Sequence, residues 1–423
     1  MEAADIRPVP VSEQRQSAAD LFLIFVGANV VATTFQVGAS LAGSFSLATT
    51  LVLIALGSLA GAGLVGALAP LGSRLRVPSV IAARPALGVT GAGLVAVLLY
   101  VSNFAWIALN NVIAASACAR AASAWIGPAF AAQTPWVIAL GLLATAVVWR
   151  GPRAVARADR IAVPLMLAVA VALTVACVYH SPGATAVPKV TMSRARGFDV
   201  VIGYQVSWIL MFADFSRYTR SPRGSTVAVF SALASTSIWM MPLGAVAARA
   251  AGTVDPGAML DAVGLGAAGA LLLALATVTT NFVNIYMSSL AWKSLTPRAS
   301  DAAVIWSVGI VGTALSALPG VWLEQYTGFM VVLGGVLVPI GGLLIAHYYM
   351  RPARIDDALV AEMYEPSGPF RGVAPAGLAA WTIGAVVYFI AGRTQIGGTV
   401  PSLAASVVVY ALAVPRAARV EVL

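Results

Sequence analysis

Residues 271–292 read LLLALATVTTNFVNIYMSSLAW, a segment long enough to cross a bilayer, with the polar run TVTTNFVN (277–284) at its centre. Polar side chains at membrane depth are costly unless they find partners or line a solvated cavity. Hydroxyl and amide groups also supply the oxygen atoms that a dehydrated small cation or a polar small molecule needs. The run therefore predicts a binding site inside a membrane helix, and transport is the first function that it indicates.

The rest of the chain has the composition of a membrane protein. Of its 423 residues, 60% are hydrophobic and only 10% are charged, and the mean hydropathy is +0.90. These values lie outside the range of soluble globular domains. About twelve apolar stretches approach the roughly 20 residues that a helix needs to span a bilayer. The predicted spans are 20–45, 48–72, 90–119, 134–150, 160–180, 198–214, 225–250, 264–291, 302–319, 326–349, 374–391 and 399–413. We therefore predict an all-α, multi-pass membrane protein with one domain over residues 1–423.

The Lys and Arg residues that give the net charge of +9 are concentrated in every second predicted loop. If the N-terminus is cytoplasmic and every span crosses, most of the 25 Lys and Arg residues fall on the inner side. The outer side keeps Arg120, Lys189, Arg194, Arg196, Arg249 and Arg393. This is the positive-inside pattern, so the charge indicates topology rather than nucleic-acid binding. It predicts cytoplasmic termini in a bacterial-type inner membrane. The partners that we expect are the lipid bilayer and a small molecule, with no obligate protein partner.

Two predicted spans carry small and polar residues where a buried helix would have leucine or isoleucine. Span one contains Gly27-Ala28-Asn29, and span six contains Gly203-Tyr204-Gln205-Val206-Ser207. Interrupted helices at matching places in two halves indicate an inverted repeat, with substrate and ion bound at the breaks. Glycines that serve helix packing would give the same pattern. The predicted repeats cover about 20–180 and about 198–349, followed by two additional helices at about 374–413.

The third span presents an amide, an indole and an amide on one face. Asn103, Trp106 and Asn110 follow each other at i, i+3 and i+7. This set suits a flat heteroaromatic ligand, because the ring can stack on the indole while the amides meet its edge. The alternative is that both asparagines bond between helices and that the tryptophan fills space.

The break of span six is the second candidate for substrate contacts. Tyr204, Gln205, Ser207 and Trp208 crowd a single turn there. Unwound backbone at this turn would expose N–H and C=O groups that a planar base can use.

The eighth span offers hydroxyl and amide groups on adjacent faces. Thr279 and Thr280 lie on one face, and Asn281 and Asn284 lie on the next. Two threonine hydroxyls and three backbone carbonyls would form a five-oxygen cage suited to Na⁺. The alternative is that the threonines bond back to their own helix.

Together these residues resemble the nucleobase–cation symporter family, and most of all its cytosine permease branch. The matching stretches are 25–38, ARPALG at 83–88, Trp106, 207–218 ending in ADFSRY, 279–286 beginning with TTN, and PIGG at 339–342. The resemblance covers nearly the whole chain. It implies a leucine-transporter-like fold of two inverted five-helix repeats with two extra helices.

The resemblance also implies roles for individual residues. Trp106 would stack on the ring, and the break from Gly203 to Ser207 would face it. The ligands of Na⁺ would be the backbone oxygens of Gly27, Val30 and Ala276 and the hydroxyls of Thr279 and Thr280. The chain departs from cytosine permeases at two positions, since Gln205 replaces an aromatic residue and Ala276 replaces a substrate-binding asparagine.

The expected function is import of a nucleobase or related planar nitrogen heterocycle, coupled to Na⁺, by alternating access. No cofactor and no catalytic residue are expected, because no His, Glu or Asp cluster lies at membrane depth. One alternative is a proton-coupled carrier of hydroxymethylpyrimidine or hydantoin-type compounds, for which Asp214 is the nearest titratable group. Another is an amino-acid transporter with the same fold.

Overall fold

The computed structural model describes residues 6–179, 187, 189–296, 298–350, 355–365 and 367–414. Helices make up most of this part of the chain. In chain order they are α1 (Ala18–Asn29), α2 (Ala32–Leu41), α3 (Leu47–Leu75), α4 (Ser79–Ala82), α5 (Arg84–Trp125), α6 (Gln133–Trp149), α7 (Pro152–Tyr179), α8 (Arg194–Val206), α9 (Pro222–Ala251), α10 (Pro256–Ala262), α11 (Gly266–Leu295), α12 (Asp301–Leu315), α13 (Pro319–Glu324), α14 (Tyr326–Tyr349), α15 (Asp357–Tyr364), α16 (Pro375–Ala391) and α17 (Thr399–Ala413).

The all-α membrane fold predicted from the sequence is confirmed. Within the described residues, α3, α5, α9, α11 and α14 are each long and apolar enough to cross a bilayer, and the bent pair α1–α2 adds a sixth crossing if it counts as one span. Shorter apolar helices are α6, the Pro164–Tyr179 part of α7, α12, α16 and α17. Each predicted span overlaps one of these helices or the segment that begins with α8.

The first span is broken between α1 and α2, whose axes differ by 56°. Val30 and Val31 separate the two helices. The break is held from outside, because Nδ2 of Asn29 donates to the hydroxyls of Thr236 (2.7 Å) and Ser237 (2.9 Å) on α9. Long-range hydrogen bonds therefore fix where this helix stops.

The sixth span loses its regular helix at Ser207 rather than at Gly203. After α8 ends at Val206, residues 207–211 form a 3-10 turn, and a second 3-10 turn covers 216–218. Gly203 lies inside the regular helix, and a Cβ there would stand 1.9 Å from the carbonyl oxygen of Met330 on α14. This glycine therefore permits close packing of α8 against α14.

Helices α5 and α11, which form the third and eighth spans, run side by side in opposite directions. Asn110 bonds Asn281 near the middle of the pair, and the rings of Tyr100 and Trp292 lie 4.9 Å apart toward its other end. The residue numbers of both pairs add up to nearly the same value, as expected for two antiparallel helices. The faces that carry the predicted site therefore meet each other.

Candidate functional site

A cavity of about 40 Å³ lies where the two helix breaks meet α5 and α11. Residues of four spans surround it. They are Ala28, Val31 and Thr33 from the first span, Trp106 and Asn110 from α5, Tyr204, Ser207, Trp208 and Met211 from the sixth span, and Thr280, Val283 and Asn284 from α11. The segments that the sequence marked as interrupted are therefore brought together around one space.

The aromatic wall of the cavity is built around Trp106. Its ring meets Tyr204 edge-on, with centroids 5.7 Å apart, and meets Phe329 of α14 at 5.3 Å. The hydroxyl of Tyr204 is hydrogen-bonded to the hydroxyl of Thr34, just beyond the first break. Edge-to-face contacts of this kind favour one relative orientation of the two rings. The indole of Trp106 is thus positioned by its neighbours while it lines the cavity.

The amide groups of the cavity converge on Asn281. Its Oδ1 accepts from Nδ2 of Asn110 at 3.1 Å and from Nδ2 of Asn284 at 3.3 Å. Asn110 and Asn284 line the cavity, whereas Asn281 is fully buried behind them. The structure therefore gives Asn281 contact with the other amides rather than a place in the wall, which differs from its prediction as a direct ligand.

Six of the predicted substrate contacts line the cavity. They are Trp106, Asn110, Tyr204, Ser207, Trp208 and Asn284. The hydroxyl of Ser207 donates to the carbonyl of Tyr204 at 2.7 Å, as a side chain does where a helix ends. Trp208 also packs against Phe25 of α1, with ring centroids 5.2 Å apart. The sixth span thus supplies an aromatic surface at the cavity from two rings.

Gln205 is not part of this surface. Its side chain is fully buried, and Nε2 donates to the carbonyl of Leu233 on α9 at 3.3 Å. On its other side α3 carries Gly61, where an added Cβ would come within 2.4 Å of the Gln205 side chain. The residue is held between two helices and is not among the cavity-lining residues, whereas its neighbours Tyr204 and Trp208 are.

Asn103 also lies outside the cavity lining. It is fully buried, and neither Oδ1 nor Nδ2 has a hydrogen-bond partner among the described residues. It stands seven residues before Asn110 on α5, which is two turns away along the helix axis. The shared face of Asn103, Trp106 and Asn110 exists, but only the last two reach the central space.

The first break exposes backbone oxygen atoms that could hold a cation. Among the described residues, no backbone N–H donates to the carbonyl oxygens of Gly27 or Val30, since the helix ends before their partners. The carbonyl of Asn29 is satisfied by the hydroxyl of Thr34. Free carbonyls at the C-terminal end of a half-helix are the groups that coordinate Na⁺ in broken-helix transporters. These two positions therefore fit the predicted cation set.

Threonines of α11 come close to the same break. Met166 of α7 packs against Val31, and the hydroxyl of Thr279 lies 3.7 Å from its sulfur. Thr280 lines the cavity, and Ala276 lies one turn earlier in the same helix. Among the described residues, no group of three or more His, Cys, Asp or Glu side chains is placed to bind a metal. A cation here would be held by hydroxyl and carbonyl oxygens.

Several lining residues were not predicted from the sequence. Ala28, Val31, Thr33, Met211 and Val283 carry no chemistry that distinguishes them from packing residues. Two of them had a signal, because Ala28 lies in the glycine-containing interruption of the first span and Thr33 follows it. The others line the cavity because of where the breaks lie.

Comparison with known proteins gives concordant matches. The family described as "Permease for cytosine/purines, uracil, thiamine, allantoin" matches residues 8–414. The cytosine permease of Escherichia coli (strain K12) is 25% identical over 361 residues, which cover 84% of this chain and 83% of the relative. The putative purine-cytosine permease YxlA of Bacillus subtilis (strain 168) is 24% identical over 400 residues, which cover 88% of this chain and 83% of the relative.

Solved structures share the fold at low identity. Mhp1, a nucleobase-cation-symport-1 family transporter, gives a TM-score of 0.80 in a closed conformation with bromovinylhydantoin bound, at 17% identity over 96% of this chain and 94% of that chain. Inward-facing Mhp1 gives 0.84 at 18% identity, over 96% and 92%. A substrate-bound, outward-open Na⁺-coupled sialic acid symporter gives 0.64 at 13% identity, over 95% and 90%.

Proposed function

We propose that this chain, which belongs to the family of permeases for cytosine/purines, uracil, thiamine and allantoin, imports a nucleobase or a related planar nitrogen heterocycle together with Na⁺. The observation that carries the proposal is the cavity at the two helix breaks. It combines the indole of Trp106 with the amides of Asn110 and Asn284. An aromatic face and amide groups are what a flat, polar ring needs for stacking and edge recognition.

The relatives support a ring as the transported molecule. Two of them are described as a cytosine permease and a putative purine-cytosine permease, and the structure of Mhp1 holds a substituted hydantoin. Cytosine, purines and hydantoin are all flat rings with N–H and C=O or ring-nitrogen groups at the edge. For this chain we propose the shared chemistry, a planar heterocycle of one or two rings.

Na⁺ is the proposed coupling ion for two reasons. Among the described residues the carbonyls of Gly27 and Val30 have no backbone donor, and Val31 at the break lines the same cavity as Thr280 of α11. The proposed ligands are the carbonyls of Gly27, Val30 and Ala276 with the hydroxyls of Thr279 and Thr280. A cation between them would draw the break and α11 together and so favour the arrangement in which both line the cavity. By thermodynamic linkage, the ring would raise the affinity for the ion by the same factor.

Proton coupling is disfavoured by the position of Asp214. Its carboxylate is buried and accepts from the hydroxyl of Ser79, and the same hydroxyl accepts from the backbone N–H of Ala213. These contacts join the end of the sixth span to α4. Asp214 is not among the cavity-lining residues, so its contacts support a structural role.

Alternating access is the proposed mechanism, with the cavity opening in turn to each side of a bacterial inner membrane and both termini cytoplasmic. Broken helices suit this mechanism, because their halves can tilt separately around a fixed site. Single-cysteine labelling would test the orientation. A cysteine in the N-terminal tail before α1 and one in the segment between α16 and α17 should react with reagent added to opposite faces of the membrane.

Uptake into proteoliposomes tests the function. Labelled cytosine, uracil, adenine and hydantoin would be offered with an inward Na⁺ gradient, with choline in place of Na⁺, and with a protonophore. We expect uptake of at least one ring that requires Na⁺ and survives the protonophore. Loss of uptake with the protonophore, at an unchanged Na⁺ gradient, would overturn Na⁺ coupling and leave ring transport standing.

A further inference from the structure

A directed chain of hydrogen bonds lies behind the cavity. At its far end, the carbonyl oxygen of Gly312 on α12 accepts from the hydroxyl of Ser316 at 2.7 Å. That hydroxyl accepts from Nδ2 of Asn111 at 3.3 Å, and Oδ1 of Asn111 accepts from Nδ2 of Asn281 at 2.8 Å. Ser316, Asn111 and Asn281 are fully buried. The chain of hydrogen bonds therefore runs from the carbonyl of Gly312 to the amide of Asn281, which accepts from Asn110 and Asn284.

The direction of this chain is fixed by its anchors, because a backbone carbonyl can only accept. The hydroxyl of Ser316 donates its hydrogen bond to the carbonyl of Gly312, which leaves the serine oxygen to accept from Asn111. A second backbone carbonyl, that of Ile107, lies 3.4 Å from Nδ2 of Asn281. Turning the Asn281 amide over would place its oxygen against Ile107 and Asn111, two acceptors in a buried place. The orientation of Asn281 is thus determined by its surroundings.

The consequence at the cavity concerns the amide oxygens of Asn110 and Asn284. Oδ1 of Asn281 takes one N–H from Asn110 and one from Asn284. The amide oxygen of each then lies on the side of the amide away from Asn281. Oδ1 of Asn110 is buried and, within the described residues, has no hydrogen-bond partner. An unpaired buried acceptor is costly, so a ligand that donates to it is favoured over one that does not.

We infer that this cavity selects rings by their N–H donors, and that Asn281 is the positioning residue that sets this preference. The inference rests on the proposed function for the ligand being a planar heterocycle. It narrows that class to rings that bring an N–H or amino hydrogen to the edge facing α5 and α11. A ring edge made only of acceptors would set its lone pairs against Oδ1 of Asn110.

Binding of matched methylated rings tests the inference on the wild-type protein. Uracil, cytosine, adenine and hydantoin would each be compared with forms methylated at one ring nitrogen and with forms methylated at a ring carbon. We expect N-methylation at one position of the tightest-binding parent to raise Kd at least about tenfold above the carbon-methylated form, since a site built to bond a donor rejects rings that lack it. The carbon-methylated ring controls for bulk.

Variants separate positioning from general packing. In Asn281→Ala, the amides of Asn110 and Asn284 lose their common anchor and can turn, so the ratio of the two Kd values should fall toward one. Asn111→Ala keeps the Ile107 carbonyl and should reduce the ratio only in part. Ser289→Ala is the matched control, because its buried hydroxyl is bonded locally to Ile285 at 3.1 Å, and it should leave the ratio unchanged.

The outcomes distinguish the inference from the function on which it rests. If no parent ring binds, the proposed function fails and the inference falls with it. If parents bind and nitrogen and carbon methylation cost the same at every position, the inference is overturned while the function stands. A ratio that stays unchanged in folded Asn281→Ala would remove the positioning role from that residue. Because the ring comparison uses the wild-type protein, it stands even if a variant does not fold.

Discussion

Truncation of Trp106 is the most direct test of the aromatic wall. The ring lines the cavity and is held edge-on by Tyr204 and Phe329. If a planar ligand stacks on it, Trp106→Ala removes that surface. Trp106→Phe keeps an aromatic face of smaller area. We therefore expect affinity to fall in the order wild type, Trp106→Phe, Trp106→Ala.

The size of the effect follows from stacking energies. Stacking of one base on an aromatic side chain contributes about 1–3 kcal/mol to binding. Since about 1.4 kcal/mol corresponds to a factor of ten in Kd, Trp106→Ala should raise Kd by roughly 5- to 150-fold. The same change removes two aromatic pairs, each worth about 0.5–1.5 kcal/mol of packing. The variant should therefore also lose thermal stability.

A matched control separates these two losses. Trp292 is likewise partly buried and packs against Tyr100 at 4.9 Å, but it does not line the cavity. Trp292→Ala should lower the thermal unfolding temperature and leave Kd unchanged. Equilibrium binding of the transported ring would be measured by scintillation proximity on folded, purified protein, with thermal unfolding followed in parallel. Wild-type affinity in a folded Trp106→Ala protein would refute the stacking role.

Three further predictions concern the ion, the sixth span and the buried face of α5. Thr279→Ala and Thr280→Ala should each raise the Na⁺ concentration for half-maximal uptake. Thr277→Ala should not, because the hydroxyl of Thr277 bonds back to its own helix at 2.7 Å. Equal Na⁺ dependence in all three variants would show that the cation is not bound by Thr279 and Thr280. Gln205→Phe should lower the thermal unfolding temperature and keep the order of substrate preference, and a changed order would return this residue to the specificity determinants. Asn103→Leu should raise the unfolding temperature, because each unpaired buried polar group costs about 1–3 kcal/mol; a lower temperature would show that the amide has a partner.

Apolar length and loop charge were enough to predict the spans. A helix in lipid must satisfy its own backbone, so a long apolar run has one available structure and its ends are marked by polar residues. The bend of the first span was also visible, since Gly27-Ala28-Asn29 interrupts it. Its place at Val30 and Val31 was not, because it depends on hydrogen bonds from Asn29 to residues of α9 more than 200 positions away.

Side-chain direction is what the sequence left open. Tyr204 and Gln205 are neighbours, and the sequence does not show which of the two lines the cavity. The rotation of α8 relative to the helices that it packs against decides between them. Gly203 packs on α14 and Gln205 packs toward α3, which turns Tyr204 to the centre. Polarity identifies residues that need partners at membrane depth. Whether the partner is a ligand or another helix depends on contacts that are distant in sequence.

Asn281 is a second residue whose hydrogen-bond partner could not be predicted from the sequence. The sequence predicts it as a ligand because an unpaired amide at membrane depth is costly. The structure satisfies the amide through Asn111, a residue with no distinguishing signal beyond its place beside Asn110. Two adjacent asparagines on α5 thus serve different purposes, one toward the cavity and one toward the next helix. Successive residues of a helix point about 100° apart, so neighbours in sequence face different partners.

Thr280 connects the two halves of the proposed mechanism. It lines the cavity, and Asn284 follows it one turn later on the same face of α11, while Thr279 beside it approaches Met166 and the first break. A cation that draws these threonines toward the carbonyls of the break also fixes the wall against which the ring rests. Linkage requires the resulting coupling, typically about 1–3 kcal/mol, to be the same in both directions. Loss of Asn110 should therefore weaken binding of the ring without changing the coupling. Loss of Thr280 should change both, because of these two residues only Thr280 belongs to both proposed sites.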